Sequence, residues 1–442
     1  MNEKRVIIMG AGGRDFHNFN VYFRNNSDYR VVAFTAGQIP NIANRVYPPS
    51  LAGPNYPEGI PIFPEEVLSE LIAKFGVDEV VLSYSDLNSQ DFIEKMSRVL
   101  VSGASFKILS PRDTMLESPV PVIAVCASRT GAGKSTVSRY ISRAFKRLGI
   151  RFVVVRHPMV YGKFDYPVQR FKTYEDLEKY NCTIEEREEY EWHIKEGNTV
   201  YAGVDYEKVL EAAVREADVI LWDGGNNDWP FFKPTIMITV VDPLRPGQEI
   251  SSYPGLVNTM MADIIVINKA NTATKEQIKI AEENVRKVNR HAKIIRTASE
   301  ISVDAPDLIK GKRVLVVEDG PTITHGHLSY GAGYLAAKMY GARDIVDPRP
   351  YALGSILEAY REYSHMGPVL PALGYGQRQM KELEEVINRT PADTVVLGTP
   401  SDISRYLKVN KPVVHVKYEL RDLANPTLEE ILVEMMRAKD IL

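Results

Sequence analysis

The run Ser128-Arg129-Thr130-Gly131-Ala132-Gly133-Lys134-Ser135-Thr136 holds glycines, a lysine and hydroxyls in the order that a phosphate cradle needs. Glycines let backbone N–H groups converge on phosphate oxygens, a lysine reaches the β- and γ-phosphates, and the next hydroxyl ligates magnesium. Lys134 and Ser135 take the last two roles, while Ser128, Thr130, Gly131, Ala132, Gly133 and Thr136 form the nucleotide-binding walls. The usual G-x-x-x-x-G-K-S opens on glycine, and here that position is Ser128. The register also fits the variant loop K-G-G-x-G-K-S. Arg129 then stands for the variant's lysine, which commonly serves a nucleotide across a two-fold interface, so a homodimer is expected.

Phosphoryl transfer needs a carboxylate at the end of a buried strand to support magnesium. Asp223, in Leu221-Trp222-Asp223-Gly224-Gly225-Asn226-Asn227-Asp228, follows an apolar run and supplies one. Asp228 is a second carboxylate, readable as a base or as a loop cap, and Asp242 ends the next strand. Asn268-Lys269-Ala270-Asn271 resembles the N-K-x-D base-recognition motif, with Asn271 in place of its aspartate. Asn268 and Lys269 are therefore expected at the base, and the choice between ATP and GTP stays open. A fourth run, Gly10-Ala11-Gly12-Gly13-Arg14-Asp15, follows the first strand. A dinucleotide fingerprint wants glycine where Asp15 stands and an acid after the second strand, where Phe34-Thr35-Ala36 has none. That counts against NAD and leaves a phosphate or effector site using Arg14 and His17, or a structural turn.

These residues need strands to end beside them. Apolar runs at 6–9, 31–34, 79–83 and 106–109 alternate with helical patterns at 64–75 and 91–101, which predicts an α/β fold. Prolines between 110 and 121 mark a linker. A second series has strands at 122–127, 152–156, 219–222, 236–241, 264–267 and 294–297, and a helix over 137–148. A third begins at 313–317 and continues at 394–397 and 413–416. The expected organisation is a Rossmann-like domain over 1–115, a P-loop NTPase domain over 120–305 and a C-terminal α/β segment over 311–442. The run Glu185-Glu186-Arg187-Glu188-Glu189 reads as a solvated helix face. A net charge of -3 gives no overall bias toward nucleic acid or anionic membrane. Two cysteines make neither a disulfide framework nor a zinc site, no apolar span is long enough for a membrane, and a cytoplasmic protein is expected. Scarce glutamine with abundant Glu, Lys, Arg and Ile leans toward a thermophile.

Four runs together carry a family resemblance: residues 7–20, the phosphate loop, Trp222-Asp223-Gly224-Gly225-Asn226-Asn227-Asp228, and Asn268-Lys269-Ala270-Asn271. Over nearly its whole length the chain resembles the archaeal cyclic 2,3-diphosphoglycerate synthetases, also described as predicted GTPases. The resemblance implies an ATP- and Mg2+-dependent ligase that phosphorylates 2,3-diphosphoglycerate and closes an anhydride ring. A substrate with about five negative charges requires gathered cations. Arg156, His157, His325 and His327 are the candidates, with Arg378 behind them. Two other readings stay open: a regulatory GTPase with a protein partner, and a redox domain fused to a P-loop module.

Overall fold

The computed structural model describes residues 3–37, 42–157, 166–225, 227–324, 328–373, 377–399 and 402–442. The apolar runs of the first segment form a six-stranded sheet. Lys4–Met9 lies at its centre, parallel to Tyr29–Ala36 on one side and to Glu79–Leu82 on the other. Ile60–Pro64 and Ser105–Lys107 extend these two flanks. The chain therefore winds outward in both directions from Lys4–Met9, and the strand order reverses between Lys4–Met9 and Glu79–Leu82. Such a reversal opens a crevice at the carboxyl ends of the two strands.

The remaining segments share one thirteen-stranded sheet. At its heart Val122–Ala127 lies parallel between Val219–Asp223 and Ile236–Val241. Phe152–Arg156 follows beyond Val219–Asp223, and Ile264–Ile267 beyond Ile236–Val241. Side-chain alternation along the loop strand feeds two cores. Ile123 and Val125 pack under the helix Lys134–Arg147, against its Val137, Ile141 and Phe145. Val122, Ala124 and Cys126 pack on the opposite face, with Tyr206, Val209 and Trp222. The helical residues recur at intervals of four, the period of one buried helix face, and each contributes roughly 2 kcal/mol by burial. That clamp fixes the helix N-terminus at the strand's carboxyl end.

The third segment joins the same sheet. Lys293–Val303 is much longer than the run expected at 294–297, because its second half pairs antiparallel with Val413–Asp422. Val413–Asp422 then leads to Thr394–Gly398 and Arg313–Asp319. A short antiparallel pair, Ser252–Tyr253 with Leu87–Asn88, ties the first sheet's crevice to the P-loop side of the second. Among the described residues no helix is long and apolar enough to cross a membrane.

Candidate active site

The phosphate loop turns at Gly133, whose φ of +102° is left-handed, and the helix starts at Lys134. A Cβ at Gly133 would lie 2.1 Å from Asn268 Nδ2, so glycine is required for space as well as for φ. The outward carbonyls of the loop are each held by a side chain. Arg245 Nη2 donates to Thr130 O (2.8 Å), Lys269 Nζ to Gly131 O (2.6 Å) and Asn268 Nδ2 to Ala132 O (3.1 Å). Ser128 O accepts from Ser252 Oγ (2.5 Å) and Asn227 Nδ2 (3.3 Å). Bracing the carbonyls outward leaves the inner N–H groups, beside the helix dipole, for phosphate oxygens.

Asp223 is the charge centre beside the loop. Its Oδ1 accepts from Lys134 Nζ (2.9 Å) and Ser138 Oγ (2.7 Å), and its Oδ2 faces Arg156 Nη1 (2.5 Å) and His193 Nε2 (3.0 Å). Burial alone would raise this carboxyl, but Arg156, Lys134 and His193 outweigh it and hold Asp223 well below the usual carboxylate range. Burial, with Arg156 nearby, lowers the Lys134 ammonium to about 8. Oxygen donors suit a hard cation such as Mg2+. Ser135, Thr136 and Asp223 line one cavity, and Thr136 Oγ1 is buried without a hydrogen-bond partner. Among the described residues there is no cluster of three His, Cys, Asp or Glu side chains that could hold a metal ion.

A cavity of about 980 Å³ continues from the loop. Arg156 and His157 both line it, as do Arg129 and Asp228. Arg156 leaves the strand beside Asp223 and also pairs with Glu189. His157 Nε2 lies 3.2 Å from Asp228 Oδ2, and Arg14 Nε lies 2.6 Å from Asp228 Oδ1. Burial would raise Asp228, and Arg14 and His157 lower it below the ordinary value. Arg129 is buried and sits 3.1 Å from Asp86 of its own chain. His325 and His327 lie outside the described residues. Arg378 is an exposed partner of Glu382 on its own helix, away from the cavity.

Several residues at the site were hidden in the sequence. The run at 185–189 is not simply a solvated face: Glu186 and Arg187 are buried, and Glu189 reaches Arg156. His193, from the same helix Ile184–Lys195, bonds Asp223. Glu318, at the end of Arg313–Asp319, lines the cavity and accepts N–H bonds from Gly331, Gly333 and Tyr334. In the N-terminal glycine loop, Asp15 itself takes the anion's place. Its carboxylate accepts from the N–H groups of Gly12 (2.7 Å), Gly13 (3.1 Å) and Phe16 (2.7 Å). His17 is a core residue, stacked on Phe231 and bonded to Thr114 O, and burial beside Arg14 lowers it to about 3. Asn271 exchanges hydrogen bonds with the backbone of Ser299 in both directions. Both halves of its amide are thus used within the fold rather than turned to a guanine.

No family model matches the chain. Among curated proteins it is 56% identical over 433 residues to arginine synthetase ArcE of Thermococcus kodakarensis, spanning 98% of this chain and 97% of that one. The chain belongs to the ArcE family. A cyclic 2,3-diphosphoglycerate synthetase of Thermococcus sibiricus is 23% identical, over 55% of this chain and 59% of its own. Among solved structures, LpxK from Aquifex aeolicus in complex with ATP covers 83% of this chain and 99% of its own at 13% identity, with a TM-score of 0.47.

Membership in the ArcE family corrects the expected cyclic 2,3-diphosphoglycerate synthesis, and with it the GTPase alternative. The physical reason is visible in the cavity. Arg156 faces Asp223 and Glu189, Arg14 and His157 face Asp228, and Arg129 faces Asp86. Among the described residues the expected cations Arg156, His157 and Arg378 each already face a carboxylate, so they do not sum to the concentrated positive field that a highly charged anion requires.

Proposed function

We propose that this chain is an ATP-dependent ligase that forms arginine by amination of its ureido precursor. The observation that carries the reading is the 56% identity, over almost the whole chain, to a protein named arginine synthetase. The phosphate loop and Asp223 supply a chemical route consistent with it. A P-loop moves a phosphoryl group onto an oxygen. Arginine has one carbon that can be made by exchanging oxygen for nitrogen, the guanidino carbon. Its precursor is then the δ-ureido amino acid, L-citrulline.

The reaction balances in two steps. The ureido oxygen attacks the γ-phosphorus, the bond to ADP breaks, and an O-phosphorylated isourea forms. Ammonia then adds to the isourea carbon, the C–O bond breaks, and phosphate leaves with one proton from the ammonia. The products are arginine, ADP and phosphate. Lys134 and the loop N–H groups stabilise the transferring phosphoryl charge. Ser135 and Asp223 would hold Mg2+, which supplies charge neutralisation at the phosphates when bound. Arg156 and His193 keep Asp223 ionised and in place.

Purified protein given ATP, Mg2+, ammonium and L-citrulline should release arginine and ADP in equal amounts, measured by chromatography. ATP hydrolysis without arginine, under all combinations of the four, overturns the reading.

A further inference from the structure

The N-terminal sheet has no role yet in this chemistry, although its geometry is that of a binding domain. Its order reverses between Lys4–Met9 and Glu79–Leu82, and ligands of such sheets sit outside the carboxyl ends of the two strands. Residues 10–14 and 83–86 occupy that position, and they line the same cavity as Lys134 and Asp223. The ligand is not a dinucleotide, because Asp15 fills the N–H nest that a pyrophosphate would use. A cavity shared with the phosphate loop points instead to the molecule that reacts with ATP.

Two side chains in this crevice have spare polar atoms. Arg14 is 3% exposed; its Nε bonds Asp228 and its Nη2 donates to Trp229 O (2.6 Å). Its third nitrogen, Nη1, is buried and has no hydrogen-bond partner. The guanidinium is locked by the Trp229 ring, 4.2 Å below it, so it cannot swing to satisfy that atom elsewhere. Asp86 has an 8% exposed side chain, and its Oδ1 lies 3.1 Å from Arg129 Nε without forming a hydrogen bond. Its backbone is left-handed, with φ +70°, where glycine would cost less. The next two residues are pinned by the pairing of Leu87–Asn88 with Ser252–Tyr253, and Ser252 in turn grips the loop carbonyl of Ser128. Asp86 is thus held in a costly conformation at a fixed place relative to the phosphate loop. Both side chains are ion-paired, Arg14 to Asp228 and Asp86 to Arg129, but Arg14 Nη1 and Asp86 Oδ1 lack hydrogen-bond partners, and one donor and one acceptor in one crevice complement the two ends of an amino-acid head group.

We propose that this crevice seats the α-amino and α-carboxyl groups of the acceptor, with Asp86 receiving the ammonium and Arg14 Nη1 the carboxylate. This rests on the ligase reading above and adds to it the position and recognition of the substrate. The side chain then extends toward Lys134 and Asp223, which puts the reactive end at the γ-phosphate and the head group in the N-terminal domain.

The test compares L-citrulline with 5-ureidopentanoic acid, which lacks the ammonium, and with 4-ureidobutylamine, which lacks the carboxylate. With the unaltered protein, kcat/KM should fall on the order of 100-fold for each analogue, because a buried charge is left unpaired. Asp86→Asn, which tolerates the same φ, should raise KM for L-citrulline more than tenfold and lose most of its preference over 5-ureidopentanoic acid. It should retain its preference over 4-ureidobutylamine, and Arg14→Gln should show the reverse pattern. Analogues used as well as L-citrulline by the unaltered protein overturn the proposal. So does an Asp86→Asn protein that weakens all three substrates by one factor. Failure of the unaltered protein to make arginine at all is a different result, which removes the ligase reading itself.

Discussion

Lys134 Nζ and Asp223 Oδ1 meet at 2.9 Å, joining the first residue of the loop helix to the last residue of the neighbouring strand. The pairing follows from strand order, since Asp223 is registered opposite Val125 of the loop strand. On the proposed ligase reading, this cation and carboxylate would hold the transferring phosphate and its metal together. The same carboxylate also carries Arg156 and His193, so one side chain organises four segments.

Lys134→Ala should abolish ATP turnover, with a loss of at least 100-fold, and leave the fold intact. On the ligase reading the lysine serves phosphate charge, and its ammonium pairs with Asp223. Turnover assays beside circular dichroism check this, and a folded variant with unchanged turnover would exclude the loop as the active site.

The same lysine predicts a pH response. Burial and the neighbouring Arg156 bring it to about 8 in the free protein, so above that pH its positive charge is lost. Affinity for an ATP analogue should therefore weaken as pH rises through about 8. Fluorescence titration between pH 6.5 and 9.5 reads this, and a flat profile would show that the lysine stays charged.

Asp223→Asn keeps shape but removes the charge that Lys134 and Arg156 share. Magnesium-dependent turnover should fall strongly, with a smaller effect on nucleotide binding. Superimposable Mg2+ titration curves for the two proteins would reduce Asp223 to a turn residue.

Asn268→Ala removes the brace on Ala132 O and leaves Thr297 Oγ1, which donates to Asn268 Oδ1 across 3.1 Å, without its acceptor. Two broken buried bonds should cost on the order of 2 kcal/mol in stability. Nucleotide affinity should fall as well, because the loop carbonyl is no longer held outward. Denaturant melts and analogue binding separate the two effects, and a stability loss alone would mean that the loop holds its shape without Asn268.

What the sequence made legible was local. The apolar run 122–127, the glycines and Lys134 are adjacent in the chain, so strand, loop and helix could be read together, and Asp223 was legible by the same logic as the polar end of a later apolar run. What it concealed was pairing at a distance. Arg14 and Asp228 are 214 positions apart, and Asp86 meets Arg129 from another sheet. Read singly, the cations looked like a site for a strongly anionic substrate; their carboxylate partners reverse that inference. The charged run at 185–189 misled for the same reason, since its solvated appearance gave no sign that Glu189 turns inward to Arg156. The place of the C-terminal segment depended on the pairing of Lys293–Val303 with Val413–Asp422, and strand periodicity carries no information about which strand is the neighbour.

Glu318 offers a test in the C-terminal segment that depends on none of the reaction chemistry. It is fully buried at the cavity wall, with three backbone N–H groups pointing at it. Burial raises its carboxyl from 4.5 to about 7, and the N–H bonds only partly oppose that. Between those two values the folded protein keeps a proton that the unfolded chain has released. Stability from this group is therefore fully present below about pH 4.5 and is lost as pH rises through about 7. Glu318→Gln cannot titrate, so comparing the two proteins cancels the other carboxylates. The stability of the unaltered protein relative to Glu318→Gln should fall by about 2–3 kcal/mol between pH 4.5 and 7.5. Urea melts at four or five pH values read this directly. A difference that stays constant would mean that Glu318 is ionised throughout, its three N–H bonds outweighing burial.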